Sequence, residues 1–167
     1  MNGHDTKAPK LILVAAIDDD FGIGRDGDLA WRIPADLKNF KQITDGGWLL
    51  MGRATWQSIG RALPGRQTIV MTNSLKDLPS DVFVAGDLQE SLSIAVGQGA
   101  DQIFVCGGEA IYRSTIENAD EMIVTRVPGS HDCDRFFPRW STANFEIIDS
   151  SVLTEGLICE TWRCRSR

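Results

Sequence analysis

Leu11-Ile12-Leu13-Val14-Ala15-Ala16-Ile17 is an unbroken apolar run of strand length near the start of the chain. A strand with one wet face alternates apolar and polar residues, whereas a run without alternation must be covered on both faces. Such a strand calls for helices above and below its sheet, and so for the long crossovers of parallel α/β architecture. Similar short runs recur at Trp48–Met51, Thr68–Thr72, Val82–Ala85, Gln102–Cys106 and Glu121–Val127. Helical segments fall between them. Pro34 opens one that runs to about Ile43 and ends at Asp45-Gly46-Gly47. Gly52-Arg53-Ala54-Thr55 leads into a second, ending at Gly60. Asp87 and Glu90 form a capping-box pattern for a third, which would bury Leu88, Leu92 and Ala95. A fourth covers about Glu109–Asn118, and Leu63-Pro64-Gly65-Arg66 is a turn. Phe145–Leu153 and Leu157–Arg163 form a closing antiparallel hairpin around Glu155-Gly156. The expected fold is α/β, with one mixed, mainly parallel twisted sheet of about eight strands flanked by about four helices.

The 167 residues suit a single domain over 11–167, preceded by a loose polar tail at 1–10. Net charge is −6 with no basic run, which argues against a nucleic-acid surface and against an anionic membrane partner. No apolar run approaches about 20 residues, so no bilayer-spanning helix is expected. The start of the chain does not read as a signal peptide, and a cytoplasmic monomer with reduced thiols is expected. Cys106, Cys133, Cys159 and Cys164 match no zinc spacing. His131-Asp132-Cys133-Asp134 reads as a polar turn, because zinc needs ligands converging from more than one tetrapeptide. No metal is expected.

Gly22-Ile23-Gly24-Arg25-Asp26-Gly27 is a literal G-x-G-x-x-G after a strand. The Rossmann reading needs a helix opening inside the glycine turn, but here the helix waits until Pro34. These glycines read instead as a long mobile loop, Asp18–Arg32, whose backbone can lie close to a ligand. Met51-Gly52-Arg53-Ala54-Thr55 and Cys106-Gly107-Gly108-Glu109 are better anion sites. Each places backbone N–H groups at a strand-to-helix junction, and the pair would suit a dinucleotide pyrophosphate. Asp36 is the odd residue. It shares a helix face with Leu37 and Phe40, where a charge is costly unless it is paired or useful.

Taken in order, these residues resemble the dihydrofolate reductase family. The resemblance is carried by Leu13–Ala16, Ile23-Gly24, Leu29-Ala30-Trp31, Pro34–Leu37 and Phe40. It continues through Met51–Arg53, Thr55-Trp56, Ser58–Gly60, Leu63–Arg66, Gly107-Gly108, Ile111-Tyr112, Thr125 and Asp134–Pro138. It covers nearly everything from Leu11 to Arg163. It implies hydride transfer from NADPH to C6 of dihydrofolate with protonation at N5, in the service of one-carbon metabolism.

The family's single active-site carboxylate falls on Asp36, which would hold the pterin 2-amino group and N3. Thr125 matches the residue that bonds this carboxylate, and Trp31 matches one holding an ordered water near it. Tyr112 matches the aromatic residue beside the nicotinamide. Leu37, Phe40, Ile59 and Leu63 match apolar walls around the substrate, Cys106 extends that surface, and Arg66 matches the arginine gripping the glutamate α-carboxylate. For the cofactor, Ala16, Ile23 and Gly24 match contacts near the nicotinamide. Gly52, Arg53, Ala54 and Thr55 match the first phosphate junction, and Gly107, Gly108, Glu109, Ala110 and Ile111 the second. Thr72, Asn73 and Ser74 fall where the adenosine 2′-phosphate binds, which favours NADPH over NADH.

The chain departs from the pattern at four places. Ala30 replaces a usual proline, Ala54 a basic or polar residue, and Cys133 a loop glycine, and Thr72-Asn73 lacks an arginine found in some members. Reductases acting on other pterins or on riboflavin precursors share the expected fold, and a non-catalytic nucleotide-binding module is the alternative from another class. The module would have no need of Asp36, Thr125 and Trp31 together.

Overall fold

The computed structural model describes residues 7–74 and 77–167. The expected tail lies outside the described residues at 1–6, but Lys10 already belongs to the first strand. Its N–H donates to the Asp101 carbonyl, and its ammonium pairs with Glu121 at 2.6 Å.

The main sheet has eight strands. In chain order they are β1 (Lys10–Ile17), β3 (Trp48–Gly52), β4 (Gln67–Met71), β5 (Val82–Ala85), β6 (Gln102–Val105), β7 (Glu121–Arg126), β9 (Phe145–Val152) and β10 (Ile158–Cys164). Across the sheet they run β5-β4-β3-β6-β1-β7-β10-β9. Pairing is parallel from β5 through to β7, then antiparallel to β10 and β9. Four helices cover it: α1 (Pro34–Thr44), α2 (Arg53–Ile59), α3 (Leu88–Gly97) and α4 (Glu109–Thr115).

The unbroken run in β1 feeds two apolar layers. Leu11, Leu13, Ala15 and Ile17 join the layer that holds α3 and α4 through Leu92, Ala95 and Tyr112. Ile12 and Val14 turn to the other face, with Phe40 and Ile43 of α1 and Trp56 of α2. The strand alternates in direction while both directions are dry, which explains why no polar residue interrupts it. The helix boundaries follow local chemistry. Pro34 occupies the first turn of α1, and Gly60 closes α2 with φ +76°. Asp87 accepts from the Glu90 N–H at 2.8 Å, while the Glu90 carboxylate reaches back to the Gly86 N–H at 2.7 Å. α4 ends at Thr115, earlier than expected, and a single 3-10 turn continues over Ile116–Asn118.

One expectation is corrected. Asp18–Arg32 is not a plain loop, because it contains β2 (Gly22–Gly24), paired antiparallel with β8 (Arg135–Phe136). Asp18 ties this ribbon together. Its carboxylate accepts from the N–H groups of Asp20, Gly22 and His131 at 2.8–2.9 Å, and Cys133 Sγ lies 3.6 Å away. Burial pushes its pKa up, but these donors outweigh it and hold the carboxyl below the usual range. The two glycines of β2 face their own ribbon. A Cβ on Gly22 would come within 2.5 Å of Cys133, and one on Gly24 within 2.9 Å of the Asp28 carbonyl. Cys133 is accommodated because Gly22 lies opposite it. Among the described residues, no helix is long and apolar enough to cross a membrane.

Candidate active site

A cleft of about 1000 Å³ opens at the carboxyl ends of β1, β3, β6 and β7 and is walled by α1, α2 and α4. This is where ligands sit in open α/β sheets, since the crossing connections leave a crevice there. A separate depression of about 510 Å³, lined by Phe21, Arg113, Phe136 and Arg139 among others, lies outside it.

α1 delivers Asp36 to the cleft. The carboxyl is half-buried, and burial raises its pKa while the Trp31 indole N–H works the other way. Among the described residues, no side-chain hydrogen bond of normal geometry reaches Asp36. Trp31 is 7% exposed, and its Nε1 also lacks a hydrogen-bond partner there. The indole is thus close enough to favour the ionised carboxylate without satisfying it. A buried orphan donor beside a lone carboxylate is a place for water or ligand. Asp28 and Glu109 also line the cleft, but each is ion-paired, with Arg32 at 2.8 Å and with Arg113 at 3.1 Å.

Thr125 lines the cleft from β7 and is 3% exposed. It makes no hydrogen bond to Asp36 here, contrary to what the resemblance implied. Its Oγ1 accepts instead from Asn39 Nδ2 at 3.4 Å. Tyr112 on α4 is buried and donates its hydroxyl to the Val14 carbonyl at 2.7 Å. Burial, with Cys106 and Asp36 adding to it, holds this phenol well above its usual range. Tyr112 therefore presents a neutral ring edge to the cleft, not a titrating acid.

Leu37, Phe40, Ile59 and Leu63 line the cleft, and Leu37 remains 46% exposed on α1. Arg66 lines the same end. Its Nε donates to the Pro64 carbonyl at 3.0 Å and its Nη1 to Thr44 Oγ1 at 3.3 Å. Those two anchors set the plane of the guanidinium and leave further N–H groups for an anion. Cys106 lines the floor with its thiol pushed up to about 12 by burial.

The two glycine junctions meet. The Gly52 N–H donates to the Gly107 carbonyl at 2.9 Å, which brings the starts of α2 and α4 together. A Cβ on Gly52 would lie 2.8 Å from Ile111 Cγ1, and Gly107 adopts φ +114°, where other residues are strained. Thr55, Gly108, Glu109, Ala110 and Ile111 line this end, as do Arg53 and Ala54, and Ala16, Ile23 and Gly24 close it from β1 and β2. Thr72, Asn73 and Ser74 lie beyond the cleft's own lining, just after β4. Arg53 Nη1 reaches out to Ser74 Oγ at 3.0 Å, and Thr72 Oγ1 accepts from the Ser74 N–H at 3.2 Å. The Asn73 side chain is directed elsewhere, against Gly86.

The family model described as dihydrofolate reductase matches residues 10–156. The chain belongs to the dihydrofolate reductase family. A dihydrofolate reductase of Bacillus subtilis (strain 168) is 36% identical over 145 residues, covering 87% of this chain and 85% of the relative. Dihydrofolate reductase HdrB of Haloferax volcanii is 32% identical over 160 residues, covering 89% and 82%. A solved dihydrofolate reductase from Enterococcus faecalis, complexed with NADP(H) and RAB-propyl, superposes with TM-score 0.83 at 29% identity, covering 93% of this chain and 96% of that one.

Sequence reasoning passed over several cleft residues that the family fold collects. Asn39, Lys41 and Arg61 line it, as do Arg113 and Arg135. Asn39 had a readable signal, because it lies one helical turn from Asp36. Arg135 had none: it reaches Glu109, at 4.0 Å, only through the β2–β8 ribbon.

Proposed function

We propose that this chain reduces 7,8-dihydrofolate to 5,6,7,8-tetrahydrofolate with NADPH. The observation that carries the reading is Asp36, a half-buried carboxylate on an apolar wall whose neighbouring Trp31 indole makes no hydrogen bond of normal geometry to it. The partner it wants is a flat edge with two N–H donors, such as the 2-amino group and N3 of a pterin. The residues present also fit the cofactor. The linked junctions leave a glycine cradle that a Cβ would fill, and Arg53 with Thr72 and Ser74 clusters donors suited to a 2′-phosphate.

When bound, NADPH supplies the hydride for pterin C6; with one proton gained at N5, the products are tetrahydrofolate and NADP+. The chain's own residues do the rest. Ionised Asp36 holds the pterin edge and favours positive charge developing on the ring. Trp31 Nε1 keeps a water beside that carboxylate, and water delivers the proton. Leu37, Phe40, Ile59 and Leu63 exclude bulk water from the ring and the aminobenzoyl group. Arg66, already held in plane, takes the distant α-carboxylate. The same reading takes the chain as a cytoplasmic monomer with a single domain that includes Lys10. It gives nucleic acid no role, on the net charge of −6. The test is NADPH absorbance followed with purified protein, with and without dihydrofolate. Dihydrofolate-dependent oxidation is expected, and folded protein without turnover would refute the reading.

A further inference from the structure

We infer that Asn39 is a positioning residue for the reaction, acting through the Thr125 hydroxyl. The inference rests on the reading of this cleft as a dihydrofolate site. Asn39 follows Asp36 by three residues on α1, so the two side chains leave neighbouring points of one helix face. Asn39 is half-buried and lines the cleft. Its amide nitrogen carries two hydrogens, and each has an acceptor. One goes to Thr125 Oγ1 at 3.4 Å and the other to Cys159 Sγ at 3.5 Å. Thr125 and Cys159 are direct cross-strand partners on β7 and β10. Two acceptors from two strands therefore aim the amide at one point of the sheet.

A hydroxyl that accepts from Asn39 keeps its own proton to donate elsewhere. Thr125 is 3% exposed, and its open side is the cleft. There the carboxylate of Asp36 stands without a protein partner among the described residues. Asn39 thus leaves the Thr125 O–H to point into the cleft, toward Asp36 and the substrate edge beside it, although the two side chains make no direct hydrogen bond in this structure. It also occupies the hydroxyl lone pair that would otherwise let the group rotate away. Tyr112, which feels the Asp36 charge, and Cys106, which lines the same cleft, are both pushed up by burial and stay protonated near neutral pH. The cations lining the same cleft, including Arg32, Lys41 and Arg66, are untouched by the test.

The experiment is a double-variant cycle with Asn39→Leu and Thr125→Val, read by single-turnover NADPH oxidation with dihydrofolate across pH. Each single variant should slow the step by about fivefold to tenfold near neutral pH, the effect of one hydrogen bond. Each should also move the apparent pKa of the pH–rate profile upward, since the ionised carboxylate would lose an O–H dipole aimed at it across the cleft. The double variant should be no slower than Thr125→Val, because Asn39 has no route except through Thr125. NADPH affinity should be unchanged, which reports on folding. Asn39→Asp, which offers acceptors only, should capture the Thr125 proton and be at least as slow as Asn39→Leu. Wild-type turnover together with additive losses, an unmoved pH profile or near-normal Asn39→Asp would overturn the role of Asn39 alone. Wild-type protein without turnover would overturn the reading of the cleft and this inference with it.

Discussion

Replacing Asp36 by Asn keeps the shape of the side chain and removes its charge. Protonation at N5 gives the pterin ring a positive charge that the arriving hydride then neutralises, and an ionised Asp36 at the ring's edge favours the protonated form. At an effective dielectric of about 20, unit charges about 5–6 Å apart attract by about 3 kcal/mol, on the order of a hundredfold in the protonated population that reacts and so in rate. The direct hydrogen bonds to the pterin edge weaken as well, because an amide cannot accept at both atoms. Stability should move the other way. Burial raises the folded pKa of Asp36 above the unfolded value, so the folded state binds this proton more tightly. The contribution is therefore greatest below the unfolded pKa and is lost as pH rises through the folded one. At neutral pH the ionised group costs stability, and Asp36→Asn should melt no lower than wild type, with its relative advantage shrinking in acid. The assay is single-turnover absorbance at about pH 7, on a sample shown to bind both ligands, paired with thermal melts. The rate deficit should shrink as pH falls and the substrate arrives partly protonated. Near-full hydride transfer at neutral pH would refute the electrostatic role. A lowered melting temperature would refute the claim that the charge is kept at a cost.

Arg66→Leu should weaken dihydrofolate binding by ten- to a hundredfold while leaving the bound rate nearly intact, on the order of what a charged hydrogen bond is worth. Titration against single-turnover rates separates the two, and a slow bound reaction with normal affinity would contradict the assignment. Arg53→Ala should narrow the preference for NADPH over NADH, because its bond to Ser74 Oγ at 3.0 Å sets it beside the hydroxyls proposed to take the 2′-phosphate. Equal losses for both cofactors in kcat/KM would move Arg53 to the pyrophosphate. The Cys106 thiol, pushed up to about 12, should resist iodoacetamide near neutral pH under conditions that label an unfolded control. Mass spectrometry of the Cys106 peptide decides this, and rapid labelling in the folded protein would refute it.

Local chemistry alone determined a good part of this protein. The apolar run in β1 dictated a strand dry on both faces. Pro34 started α1, Gly60 stopped α2, and Asp87 with Glu90 capped α3, because each acts within a turn of itself. The spacing of Asp36, Leu37 and Phe40 put a carboxylate on an apolar helix face, and the glycines after β3 and β6 marked two strand-to-helix junctions that meet in the fold. Tertiary structure decided what depends on strand order. The β2–β8 ribbon joins short segments that carry no periodicity, and it exists because Asp18 collects N–H groups from both sides. Gly22 proved to face Cys133, a contact invisible along the chain. Arg53 found Ser74 because β3 and β4 are neighbours, and Asn39 found Thr125 because α1 packs over β7. Propensities and caps act over a few bonds. Which hydroxyl faces which amide is settled only when a sheet orders its strands and packs a helix across them.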